Sequence, residues 1–132
     1  MAYVLGFFAA DGTMTLNKRG AHFVDFYTTD KQLILQIRKI VDSNHRIGVR
    51  NRDPRWKTGY RLQLGSKELF FDLQKLGFTP NKSLKLKFPR IPSEHLGAFT
   101  LGYFDGDGNI YFKQHKAKDR KTPRWIFSTR FT

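Results

Sequence analysis

A nine-residue pattern occurs twice in this chain and limits its fold more than any other feature. Val4-Leu5-Gly6-Phe7-Phe8-Ala9-Ala10-Asp11-Gly12 lies near the amino terminus, and Thr100-Leu101-Gly102-Tyr103-Phe104-Asp105-Gly106-Asp107-Gly108 follows 107 − 11 = 96 positions later. Each copy is an apolar run with a glycine in its middle. Each ends in Asp-Gly and passes at once into alternating sequence. A helix that is apolar all round is buried on all sides, which suits a central pair better than a surface element. Gly6 and Ala10 are four apart, as are Gly102 and Gly106, so each helix carries a stripe without bulk along which two backbones can approach. Val4, Leu5, Phe7, Phe8, Leu101, Tyr103 and Phe104 are left to face flanking sheets.

The two halves of Asp-Gly have different causes. Glycine permits the left-handed backbone that ends many helices. An aspartate in the last turn instead meets the negative end of the helix dipole, which costs about 0.3–1 kcal/mol. Two such acids side by side also repel each other. Their presence at equivalent repeat positions implies a neutralising cation. Hard divalent ions take carboxylate and carbonyl oxygens. Asp11 and Asp107 are therefore candidate ligands for Mg²⁺, or for Mn²⁺ or Ca²⁺, with Gly12 and Gly108 as the adjoining backbone positions. Beside a phosphodiester such an ion polarises the phosphoryl oxygen, activates water and stabilises the leaving oxygen. Asp105-Gly106-Asp107-Gly108-Asn109 also begins like an EF-hand loop. The loop glycine would fall at Ile110 and the bidentate glutamate at Lys116, which excludes that reading.

Charge points to the partner. The chain has 24 Lys and Arg against 11 Asp and Glu, a formal net charge of +13 in 132 residues. A folded chain carries such self-repulsion most naturally against a polyanion. No amphipathic basic helix suggests a membrane surface instead. Apolar residues make up 39% and thirteen are Phe, which argues for a packed single domain rather than disorder. Without cysteine there is neither a disulfide framework nor a thiolate metal site. The apolar opening is too short to span a membrane, lacks a basic leader and ends in Asp11, so it reads as neither a transmembrane segment nor a signal peptide. An intracellular protein is expected.

Taken in order, the chain alternates hairpins and helices. Thr13, Thr15, Asn17 and Arg19 alternate with Met14 and Leu16, Arg19-Gly20 makes a turn, and Val24 and Phe26 return against Asp25 and Tyr27. Residues 30–43 read as a helix capped by Asp30, with Leu33, Ile34, Ile37, Ile40 and Val41 on one face. A second hairpin places Ile47 and Val49 against Arg50 and Arg52, then Tyr60, Leu62 and Leu64 against Arg61 and Gln63. Ser66 caps a helix that buries Leu69, Phe70, Leu73 and Leu76 and stops at Gly77. A basic connector runs from Pro80 to Pro92. Ser93 opens the second apolar helix, followed by a strand with Ile110 and Phe112 inward and Asn109, Tyr111 and Lys113 on the other face. The tip between 113 and 124 holds six basic residues and one acid, and a return strand covers Trp125 to Thr132. This is an αββαββα unit over residues 1–92 with its connector, and the αββ start of a second over 93–132, within one α+β domain.

The polar strand faces offer Thr13, Thr15, Asn17, Arg19, Asp25, Tyr27, Arg50, Arg52, Arg61, Gln63, Asn109, Tyr111 and Lys113. These are donor and acceptor types suited to base edges in the major groove of double-stranded DNA, which a two-stranded ribbon fits. Lys113, Lys116, Lys118 and Lys121 suit phosphates, supplying affinity rather than specificity. The four histidines, His22, His45, His95 and His115, lack metal-ligand spacing and read as surface or packing residues.

With both motifs and the hairpin order in place, the chain resembles the LAGLIDADG homing endonuclease family over essentially its whole length. The resemblance implies paired repeats with antiparallel DNA-binding sheets forming a saddle, and site-specific cleavage of both DNA strands across the minor groove. It implies that the last acid of each motif, here Asp11 and Asp107, binds divalent metal. Ser83-Leu84-Lys85-Leu86-Lys87 resembles the family's lysine-bearing segment, which makes Lys87 an active-site lysine on the base or phosphate side. Asp25 among the DNA-facing positions would accept from cytosine. Ala9 departs from the pattern, standing where Asp105 retains an earlier acid. The second repeat stops after its first hairpin, so a fragment, a natural remnant, or a chain completed by a second copy or a complementary polypeptide is expected. The alternative is a non-cleaving nucleic-acid-binding module on the same fold, such as an intron RNA splicing factor, a ribosome-associated protein or a transcription regulator.

Overall fold

Two apolar helices run parallel and side by side, α1 (Ala2–Asp11) and, near the other end of the chain, α4 (Ser93–Asp107). The computed structural model describes residues 1–80, 87–116, 118–119 and 121–131. Between the two helices lie β1 (Thr13–Leu16), β2 (His22–Thr28), α2 (Lys31–Ile40), β3 (Ile47–Arg50), β4 (Gly59–Gly65) and α3 (Lys67–Lys75). Beyond α4 come β5 (Gly108–His115) and β6 (Arg124–Phe131). The architecture is α+β. One antiparallel sheet has the order β1-β2-β4-β3, and β5 and β6 pair as a second, separate ribbon.

Local sequence explains most of these boundaries. The Asp30 carboxylate accepts from the backbone N–H of Gln32 and Leu33, satisfying donors that the first turn of α2 leaves open. Ser66 Oγ does the same for Leu69 in α3. Gly77, at φ +96°, ends α3 in the left-handed conformation that glycine adopts without strain. The first strand is shorter than its alternation predicts. β1 stops at Leu16 because Asn17 Oδ1 turns back to accept from the N–H of Arg19 and Ala21. Asn17 and Arg19 therefore belong to the turn.

The core lies where α1, α2 and α3 cover one face of the first sheet. Met14, Val24, Phe26, Leu62 and Leu64 alternate onto that face and are 0–3% exposed. The Phe8 ring joins α1 to this core through edge contacts with Phe26 and Phe78, at 5.5 and 5.4 Å between centroids. His22 is a packing residue, its ring 4.7 Å from that of Phe70.

The second ribbon corrects one expectation. Ile110 and Phe112 share a face with Trp125, Phe127 and Phe131, but that face is 53–67% exposed. The first sheet has α2 and α3 over its apolar face; among the described residues nothing equivalent covers this one. Phe112 instead stacks on Trp125 at 4.8 Å, and Phe131 packs on Phe104 of α4.

Candidate active site and nucleic-acid interface

The glycine stripe sets the distance between the central helices. A Cβ on Gly6 would run into the carbonyl of Phe99, and one on Gly102 into the carbonyl of Tyr3. These positions are related by the repeat, 102 − 6 = 99 − 3 = 96, so the helices meet about a local two-fold axis. At the end of the seam a Cβ on Gly106 would stand 2.5 Å from that of Ala10. Asp11 and Asp107 are the next residue of each helix. The pairing therefore brings both carboxylates to the same end, at two helix C-termini with no basic residue in either last turn.

The glycines after the acids work differently from the sequence expectation. Gly12 and Gly108 have φ −71° and −77°, extended rather than left-handed. Each donates its N–H to the carbonyl four residues back, Phe8 and Phe104. A Cβ at either would collide with the ring of that same phenylalanine. Close approach, not a positive φ, excludes a side chain here.

The acid that only one motif retains also has a partner. The Tyr3 hydroxyl donates to Asp105 Oδ2 at 2.6 Å, across 102 positions of sequence. Burial, then this bond and the Asp105 charge, push the Tyr3 phenol well above its ordinary range. The two-fold equivalents of Tyr3 and Asp105 are Phe99 and Ala9, both buried. Where the acid is missing, the hydroxyl that would meet it is missing too. Asp105 is thus tied to the helix interface.

The donor chemistry at the helix ends fits a hard divalent cation. Among the described residues no cluster of three or more His, Cys, Asp or Glu forms. A cation at Asp11 and Asp107 would have two carboxylates and complete its shell with carbonyl, water and phosphate oxygens, as Mg²⁺ does.

The polar strand faces point away from the core. Thr13 pairs with Asp25 and Asp25 with Gln63, while Tyr27 pairs with Arg61, so these residues share the outer face of the first sheet. Thr13, Thr15 and Tyr27 are exposed there, as is Arg50 at the end of β3. Arg52 lies beyond β3, in the loop. Asp25 differs from the expectation of an exposed base-contacting acid. It is 5% exposed, and its Oδ1 accepts from Arg61 Nε at 2.7 Å and lies 2.6 Å from Nη2 in an ion pair. On the ribbon, Asn109, Tyr111 and Lys113 are exposed on one face. Ser128 and Arg130, which sequence reasoning missed, stand opposite Tyr111 and Asn109 and line a polar hollow with them. The alternation of Arg124, Ile126, Ser128 and Arg130 with Trp125, Phe127 and Thr129 was the available signal. Lys113, Lys116, Lys118 and Lys121 are exposed. Lys87 is exposed and leads into Phe88, whose ring packs on Phe99 of α4 at 5.5 Å; Ser83 to Leu86 lie outside the described residues.

Two central parallel helices, each ending in an acid, stand beside a four-stranded antiparallel sheet and a two-stranded ribbon with polar outer faces. Solved structures share this fold. The I-LtrWI LAGLIDADG homing endonuclease bound to target DNA aligns at TM-score 0.61 and 14% identity, over 97% of this chain and 64% of that one. The I-SmaMI meganuclease bound to uncleaveable DNA aligns at 0.63 and 13%, over 97% and 65%. I-SmaMI on an uncleaved target in the presence of calcium ions aligns at 0.57 and 15%, also over 97% and 65%. The chain thus spans less than two thirds of the length of these structures. No curated protein matches it significantly. A family model for the LAGLIDADG-like domain matches residues 1–76, and the chain belongs to that family. Among the described residues, no helix is long and apolar enough to cross a membrane.

Proposed function

We propose that this chain is the first repeat and the beginning of the second of a site-specific double-stranded DNA endonuclease of the homing type. Phosphodiester hydrolysis depends on a divalent cation, Mg²⁺ or one such as Mn²⁺ or Ca²⁺, held by Asp11 and Asp107 with the backbone at Gly12 and Gly108. The observation that carries this reading is the convergence of the two acids. The Gly6–Gly102 seam brings like charges to the same end of two helices, at their C-termini, an arrangement that a bound divalent cation would stabilise. When bound, the cation supplies charge neutralisation at the phosphate and a lowered pKa for water.

The chain's own residues do the rest. Thr13, Thr15, Tyr27, Arg50, Arg52, Arg61, Gln63, Asn109, Tyr111 and Lys113 hold the duplex, with the turn residues Asn17 and Arg19 at its edge. Lys87 places a positive charge on the phosphate or base side. The apolar face of the ribbon, exposed among the described residues, is covered by the remainder of a second repeat, supplied by a longer form of this chain, a second copy or a complementary polypeptide.

The test is incubation with a randomised duplex library in Mg²⁺ and in chelator. Wild type should cut in Mg²⁺ alone, and Asp11→Asn or Asp107→Asn should slow cutting at least ~100-fold, the scale of a lost transition-state contact. Unchanged cutting by both variants removes the assignment. Duplex binding that persists in chelator with no cutting identifies a binding module instead.

A further inference from the structure

We propose that Asp25 is a positioning residue that holds Arg61 for the recognition of one guanine. This rests on the DNA reading above but goes beyond it in assigning a role to a residue pair. A carboxylate on the face that meets a polyanion is unfavourable unless its charge is neutralised locally. Asp25 is neutralised from within the sheet. It is almost wholly buried, and among the described residues its Oδ2 is enclosed without a hydrogen-bond partner. Its charge therefore depends on Arg61, which reaches it from the neighbouring strand. Buried charges persist only when paired, so the pair constrains both side chains.

The constraint has a direction. Nε and Nη2 of Arg61 are both turned onto one oxygen of Asp25. A guanidinium is planar, with donors in a fixed fork. Anchoring that edge leaves the Nη1 side as the end available to a ligand, and 34% of the side chain remains exposed. A free arginine pays rotamer entropy, up to roughly 2 kcal/mol, when it is immobilised; Arg61 has paid most of this on folding. Its surroundings leave room. Gly48 is opposite Arg61 on β3, where there is no side chain to cover it, and Tyr27 on β2 leans over Gly59. Paired N–H donors presented outward from a sheet face match the O6 and N7 acceptors of guanine in the major groove. Asp25 thus acts through Arg61 rather than by accepting from a base.

The experiment selects duplexes from a randomised library with the purified chain and sequences those retained. Wild type should show one position at which guanine is preferred by about tenfold, within the range for a bidentate contact. Arg61→Lys, which keeps the charge and loses the fork, should abolish that preference. Asp25→Asn, nearly isosteric, should weaken it several-fold relative to the other positions of the same profile. Thermal unfolding checks that each variant is folded; if Asp25→Asn is not, Arg61→Lys decides. Full guanine preference in either folded variant overturns the proposal, as does a wild-type profile with no guanine position. If wild type retains no duplex at all, the DNA reading itself fails and this role with it.

Discussion

Gly97 and Gly102 lie in the same helix, five residues apart, and should respond to alanine in opposite directions. Nothing stands within 4 Å of a Cβ built on Gly97, whereas one on Gly102 meets the backbone of Tyr3 and Phe7. Both substitutions gain about 0.8–1 kcal/mol of helix propensity. At Gly97 that gain is the whole effect. At Gly102 the added methyl overlaps backbone, which cannot swing aside as a side chain would, so α1 and α4 have to separate. Overpacking costs typically ~1–3 kcal/mol, and a backbone collision takes the upper end. The net loss is then about 2 kcal/mol, and the two variants should differ by roughly 3 kcal/mol, a large share of the ~5–15 kcal/mol of a typical domain. For a domain of this size that corresponds to roughly 10 °C in Tm. Urea and thermal unfolding followed by far-ultraviolet circular dichroism measure it directly. By the two-fold relation Gly6→Ala should lose as much as Gly102→Ala. If Gly102→Ala unfolds at or above the midpoint of Gly97→Ala, the close seam is not what holds the two acids together.

Three further outcomes follow from named contacts. Tyr3→Phe removes the bond to Asp105 and should cost about 1 kcal/mol. Since the folded-state phenol is raised above its ordinary value of 10.0, the wild-type advantage is complete below about pH 10 and shrinks as the pH rises further, because the unfolded phenol ionises first; an advantage that persists undiminished through roughly pH 11 contradicts this. Asp30→Ala should cost ~1 kcal/mol by uncapping α2, read from the urea midpoint. Phe112→Glu together with Phe127→Lys should suppress concentration-dependent association of the isolated chain, measured by sedimentation, because an exposed apolar face of this extent favours association; unchanged association places the contact elsewhere.

Most of the frame was legible because its causes are local. Apolar periodicity and caps act within a few residues, so α2 could be read from Asp30 and α3 from Ser66 and Gly77. Strand alternation separated Val24 and Phe26 from Asp25 and Tyr27 before any pairing was known. The repeat of 96 residues marked the two central helices.

Other properties depend on which distant segments meet, and there the sequence pattern was insufficient. Tyr3 finds Asp105 only because the helices run parallel in register. Asp25 reads as an exposed polar residue until β2 pairs with β4 and brings Arg61 over it from 36 positions away. Gly12 and Gly108 look like left-handed caps, but their backbones are extended and a phenylalanine one turn back excludes their side chains. Ile110 and Phe112 have the alternation of buried residues, yet burial requires a covering layer, which strand periodicity cannot provide. The sequence by itself determined the elements, their amphipathic faces and the two acids. Tertiary structure alone decided where the acids meet and which polar groups are already engaged, because a steric seam and a pairing register are properties of two segments together.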